Sequence, residues 1–255
     1  MVRRAHSLGC FDNAIKRIEG DTWPTSGAAT TTSTGFTTTM IGGTHVGSTD
    51  LPPGSKATGY IQGPADTGDI QFRVGAGATE FLVNNEDDNW TSLWLRWVLT
   101  GTALAADGTA TYLSNFQTGG SIIALRAYVR NLTHNPGYSL SVQETLTGGL
   151  TEGLQDFSGV GQGSTFVPFG RWFNLVRRVK RSTSGGMIEC YVNGTLIGRQ
   201  ANLPTDGELG ASVLQSQRDI WHPTQAGTQL QVTGPIYTYD GPGPDLRPLW
   251  DLQDL

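Results

Sequence analysis

Along residues 91–100, TSLWLRWVLT, apolar and polar positions alternate. Leu93, Leu95, Trp97 and Leu99 fall on one side of an extended chain, and Trp94, Arg96 and Val98 on the other. Period-two alternation in branched and aromatic residues predicts a strand. Tryptophans at 90, 94 and 97 predict that this strand is central, since burying each aromatic is worth on the order of 1.5–3 kcal/mol. The pattern returns at Trp172–Lys180, with Phe173, Leu175 and Val179 opposed to Trp172, Asn174, Arg178 and Lys180. Ser182–Gly186 is a polar turn. Met187–Val192 then groups Ile188, Cys190 and Val192 against Met187, Glu189 and Tyr191. Asn193-Gly194 offers the two positive-φ residues of a type I′ hairpin, and Thr195–Gly198 returns.

Shorter strands are expected at Tyr60–Ile61, Ile70–Val74, Glu80–Val83, Thr109–Asn115, Ser121–Arg130, Tyr138–Thr145, Leu209–Leu214 and Gln229–Tyr239. Leu51-Pro52-Pro53-Gly54-Ser55 and Asn135-Pro136-Gly137 are turns. The Thr-rich residues 25–49 read as strands, because Thr favours extended backbone and Phe36, Met40, Ile41 and Val46 interrupt the polar run. Residues 146–168 form a long connection anchored by Phe157 and Phe166. Phe11, Ile15 and Ile18 are spaced for a short helix or docked turn. No repeat of fixed period is visible, which argues against a propeller or solenoid. The expected organisation is an N-terminal docking arm (1–22), one β-sandwich of two antiparallel sheets (23–240) and an extended C-terminal tail (241–255).

Composition agrees with an all-β chain. Of 255 residues, 35 are Gly and only 15% are charged, which favours short strands and tight turns over helices. A net charge of -5 gives no general attraction to nucleic acid or to anionic membrane, and neither is expected as a partner. No apolar run long enough to span a bilayer follows the N-terminal arginines or occurs later, so synthesis in a host cytoplasm without a signal peptide is the expectation. The two cysteines, Cys10 and Cys190, are expected to be buried free thiols.

The stretch Phe169–Leu203, FGRWFNLVRRVKRSTSGGMIECYVNGTLIGRQANL, resembles the concanavalin A-like lectin/glucanase superfamily, with its laminin-G-like and pentraxin-like domains. The shared features are Gly170 and Trp172, the alternating strand that follows, and the YVNG hairpin Tyr191–Gly194. TSLWLRWVLT and the late GPIYTYDG resemble that family's early and closing strands. The resemblance implies a jelly-roll sandwich with a ligand site on a concave sheet or loop rim.

Glucanases of that superfamily carry paired carboxylates as E-x-D-x-x-E, and no such triplet occurs here. Glu86-Asp87-Asp88 sit adjacent on an expected turn and cannot hold two carboxylates in register. The four histidines (His6, His45, His134, His222) share no metal-ligand spacing, and no G-x-S-x-G elbow is present. A non-enzymatic role is therefore expected. No cofactor is required; calcium is the one candidate, with Asp87 and Asp88 in the oxygen-rich Asn84–Asn89 loop as first ligands. The alternative for that loop is a solvated turn.

Glycan recognition needs an aromatic platform beside amides or carboxylates. Trp90, Trp94, Trp172, Tyr191 and Trp221 are candidates, with Asn89 or Asn193 as neighbours; Trp221 and the adjacent His222 stand out as loop residues, and Trp90 with Asn89 come next. A strand tryptophan is more often core than platform. The run Arg177, Arg178, Lys180 and Arg181 is split between faces by alternation, so a solvated sheet face accounts for it. The chain ends are oppositely charged. Arg3, Arg4, Lys16 and Arg17 lie at one end, and Asp240, Asp245, Asp251 and Asp254 at the other. With Phe11, Ile15, Leu249 and Trp250 as apolar anchors, such arms suit clasping a neighbouring subunit. The chain thus resembles a structural component of a bacteriophage particle, a capsid decoration protein or a tail or head-fibre accessory. It would act as a homo-oligomer contacting capsid or tail subunits, with host-surface glycans as further partners. A carbohydrate-binding module or adhesin is the alternative, and a divergent glycoside hydrolase or polysaccharide lyase the next.

Overall fold

The computed structural model describes residues 16–18, 29–31, 37–41, 44–52, 57–63, 69–74, 88–101, 103–118, 121–131, 133–134, 136–145, 166–180, 185–203, 222–223 and 227–240. Every regular element among them is a strand. In chain order these are β1 (Lys16–Ile18), β2 (Ala29–Thr31), β3 (Thr37–Ile41), β4 (Thr44–Gly47), β5 (Gly59–Gln62), β6 (Asp69–Val74), β7 (Asp88–Leu99) and β8 (Ala110–Thr118). There follow β9 (Ser121–Arg130), β10 (Gly137–Thr145), β11 (Phe166–Pro168), β12 (Phe173–Lys180), β13 (Gly186–Val192), β14 (Thr195–Leu203), β15 (His222–Pro223) and β16 (Thr228–Asp240).

The large sheet runs β14-β13-β12-β7-β16-β5-β4, antiparallel throughout, with β1 added beside β16. The tryptophan-rich β7 takes the middle place, as its sequence predicts. At the β13–β14 turn Asn193 has φ 48° and Gly194 φ 79°. These are the left-handed conformations a type I′ turn demands, and they hand the twist of one strand on to the next.

A second sheet, β11-β10-β9-β8, packs face to face on the first. Its inner positions Val129, Tyr138, Leu140 and Val167 meet Ile61, Leu95, Trp97, Phe173, Leu175, Leu230 and Val232, all at most 3% exposed. The seam is aromatic. Trp97 lies 4.3 Å from Tyr138 and 5.4 Å from Phe173 between ring centroids, and Phe169 meets Tyr138 edge-on at 5.3 Å. Across it the Tyr138 hydroxyl reaches Thr228 Oγ1 at 3.0 Å, so the phenol's one polar atom is satisfied. Two antiparallel sheets sharing one apolar core make the chain an all-β sandwich. A smaller sheet, β15-β6-β3-β2, contains the Thr-rich strands expected from residues 25–49.

Several details depart from expectation. Lys16–Ile18, assigned to a helix or docked turn, is a strand paired with Ile236–Thr238. β5 pairs only with Gln231 and Val232 of β16, so the far half of that edge needs another partner for its backbone groups, and β1 supplies it. Between Thr233 and Tyr237, β16 carries two extra residues relative to β7. Pro235 in that interval has no N–H to donate, which locates the irregularity. Phe166 belongs to strand β11 rather than to a loop. Glu80–Val83 and Leu209–Leu214 lie outside the described residues.

Candidate functional site

The reverse face of the large sheet is not a solvated surface. Ser92, Trp94, Arg96, Asn174, Val176, Glu189 and Gln231 all point away from the sandwich core and are all buried. Buried polar groups must be paired. Asn174 Nδ2 donates to Ser92 Oγ at 3.0 Å, while its backbone N–H donates to Asn193 Oδ1 at 2.8 Å. Asn193 thereby fastens the hairpin turn to β12. Glu189 accepts from Arg178 at 3.0 Å and from the Tyr191 hydroxyl at 2.8 Å, with Arg199 Nε at 3.5 Å. Burial, and then the bond and charge of Glu189, push the Tyr191 phenol well above its ordinary range. Arg178 is therefore a counter-charge of a buried carboxylate rather than a freely solvated base.

A second cluster on this face also reaches solvent. Arg96 comes up from β7 and donates from Nε to Gln231 Oε1 of β16 at 2.8 Å. Its guanidinium carbon lies 4.4 Å from the centre of the Trp172 ring and 5.7 Å from that of Tyr60. Those two rings meet edge to face at 6.0 Å. A terminal nitrogen donates to Asp50 Oδ2 at 2.5 Å. The Arg96 side chain is 7% exposed and that of Asp50 is 74% exposed. A buried cation thus takes its counter-charge from the solvent side. Asp50 is held independently of that bond, since Trp172 Nε1 donates to its carbonyl at 3.3 Å, its own N–H donates to Ser48 Oγ at 3.0 Å, and Pro52 is buried.

Local sequence explains the assembly. The Gly170 N–H donates to the Trp97 carbonyl at 2.7 Å with Gly170 at φ 79°, which turns the chain so that Trp172 lands over Arg96 as β12 begins. Trp172 is half-buried, with one face committed to the guanidinium. The cation–π contacts and the edge contact with Tyr60 fix the indole, leaving part of it as a rigid aromatic surface.

Of the residues the sequence nominated, Trp172 lies in this cluster. Trp94 is 3% exposed and belongs to the packed interior, so it is no platform. Asp88 and Asn89, expected on a loop, lie within β7, where Asp88 faces Lys180 and Asn89 faces both Val179 and Asp240. Backbone pairing with β12 draws both into the sheet, and Asn89 pairs with β16 as well. Trp90 follows them in β7, opposite Arg178 and Tyr239, and His222 is in β15 opposite Ile70. Arg3, Arg4, Phe11, Ile15, Asp87, Trp221, Leu249 and Trp250 lie outside the described residues. Cys190 is buried and takes part in no disulfide. Among the described residues no group of three or more His, Cys, Asp or Glu gathers as a metal site. Sequence reasoning missed Arg96, Asp50, Tyr60 and Gln231 as members of one site; an arginine inside an aromatic strand was the available signal.

No family model matches the chain, and no curated protein matches it. Among solved structures it is similar to the binding domain of botulinum neurotoxin DC in complex with SialylT, at 12% identity and a TM-score of 0.44 over 94% of this chain and 51% of that one. It is similar to a structure described as a receptor binding domain at 13% and 0.47, over 98% and 52%. It is also similar to the alginate lyase Aly36B at 9% and 0.45, over 75% and 84%. The chain spans about half the length of the neurotoxin and receptor-binding structures. Likeness this distant leaves function to be argued from the site.

Proposed function

We propose that this chain is a non-enzymatic glycan-binding sandwich whose platform is Trp172. The reading is carried by one observation: a half-buried indole clamped over a buried guanidinium at 4.4 Å, next to an exposed carboxylate. The C–H face of a sugar ring stacks on an aromatic surface, and an indole already fixed by the cation beneath it offers that surface at little ordering cost, with charged groups beside it for the sugar's polar substituents. A glycan array with the wild type and Trp172→Ala tests it. Binding by the wild type that the variant loses is expected; a silent array, or binding indifferent to Trp172, overturns the reading. The absence of glucan or alginate turnover is part of the same proposal, and turnover above background would contradict it.

Membership of a phage particle is a finer proposal that rests on the oppositely charged arms, Arg3 and Arg4 with Phe11 and Ile15 at one end and Leu249 and Trp250 among aspartates at the other. Deleting residues 1–15 or 241–255 should prevent incorporation into particles; normal incorporation would remove it.

A further inference from the structure

Arg96 invites a more specific conclusion about the ligand, one that rests on the glycan reading of Trp172. A guanidinium in low-dielectric surroundings needs an anion, and the one it meets among the described residues is Asp50. That carboxylate reaches it from solvent, so a path exists by which another carboxylate can arrive. Asp50 can also leave without moving the chain. Its backbone is held by Trp172 and Ser48, so release needs only rotation of an exposed side chain. The slot it fills suits a carboxylate: a terminal guanidinium nitrogen beside the Trp172 and Tyr60 rings, which meet each other edge to face. We propose that this slot receives the carboxylate of an acidic sugar, with Asp50 as a built-in competitor that the ligand displaces while the sugar ring lies against Trp172.

An ordinary glycan platform would use Asp50 as a hydroxyl acceptor and lose affinity when it is removed. A receptor slot gains affinity for anions instead. Calorimetric titrations of the wild type, Asp50→Ala and Asp50→Ala/Arg96→Met with glucuronate, glucose and acetate separate the two. Asp50→Ala should bind glucuronate about thirtyfold more tightly than the wild type, the value of removing a competing ion pair with one buried and one exposed end. Glucose should gain nothing, acetate should bind more weakly than glucuronate, and Arg96→Met should abolish the gain. Unchanged or weaker glucuronate binding by Asp50→Ala would overturn the slot, and if glucose still bound through Trp172 the platform would stand without it. Equal gains for acetate and glucuronate would support the slot and remove the platform. Should Asp50→Ala fold poorly, Asp50→Asn removes the charge while retaining an acceptor, and the same preference for glucuronate over glucose is required of it.

Discussion

The pairing of Arg96 with Asp50 makes a definite energetic prediction, because its two ends sit in different environments. Truncating Asp50 to Ala leaves a cation that is 7% exposed without its carboxylate. Fully buried pairs cost about 3–5 kcal/mol to break in this way and exposed ones about 0–1, so an intermediate value of about 2 kcal/mol is expected. Arg96→Met removes the cation itself. It forfeits the contacts with Trp172 and Tyr60 and leaves the buried Gln231 amide without that donor, at about 3 kcal/mol in all. The two losses should not add. Once Arg96 is gone, Asp50 is a solvated carboxylate whose removal costs nothing, and the double variant should match Arg96→Met alone. Urea unfolding read by tryptophan fluorescence measures this from midpoints at constant slope, with an expected coupling of about 2 kcal/mol. Additive losses would refute the claim that Asp50 neutralises Arg96.

Other consequences are local. Gly194→Val should cost about 1–3 kcal/mol, because φ of 79° is hostile to a branched side chain; unchanged thermal stability would contradict the turn assignment. Gly137→Ala should destabilise by about 2 kcal/mol or more, since a Cβ there would run into the Val167 carbonyl and the Phe166 ring, and denaturant titration would show it. Burial pushes the Tyr138 hydroxyl up to about 12, against its bond to Thr228, which works in the other direction. The unfolded chain then loses this proton near pH 10 and the folded chain near 12, so the contribution is complete below pH 10 and disappears as pH rises towards 12. Tyr138→Phe should flatten that part of an alkaline stability profile, and an unaltered profile would count against it.

Much of the fold was legible in sequence because its signals are local. Alternation marks β7, β12 and β13, and Asn193-Gly194 marks the hairpin. Alternation does not separate inside from outside in this sheet. Between Ser92 and Trp97 both faces of β7 carry buried side chains, so Ser92 and Arg96 are as enclosed as Leu95 and Trp97, and Asn174 and Glu189 of β12 and β13 join an internal network, while Leu99 further along is exposed. The edge filled by β1 was illegible because it depends on where β5 stops. The site was harder still. Asp50 and Trp172 are 122 residues apart, and Asp50 stands 46 before Arg96; nothing local connects them. Trp172 was nominated for its residue type, while its fitness as a platform comes from the guanidinium beneath it.

The central claim, that Trp172 over Arg96 forms the ligand platform, is tested most directly by following the Trp172 indole N–H in a heteronuclear NMR titration with glucuronate. That proton bonds to the Asp50 carbonyl and so reports on both the ring and the loop. A saturable shift of this resonance, absent with glucose at equal concentration and lost in Arg96→Met, is the predicted result. Saturable binding of glucuronate that leaves the Trp172 resonance unmoved would place the ligand elsewhere and contradict the account.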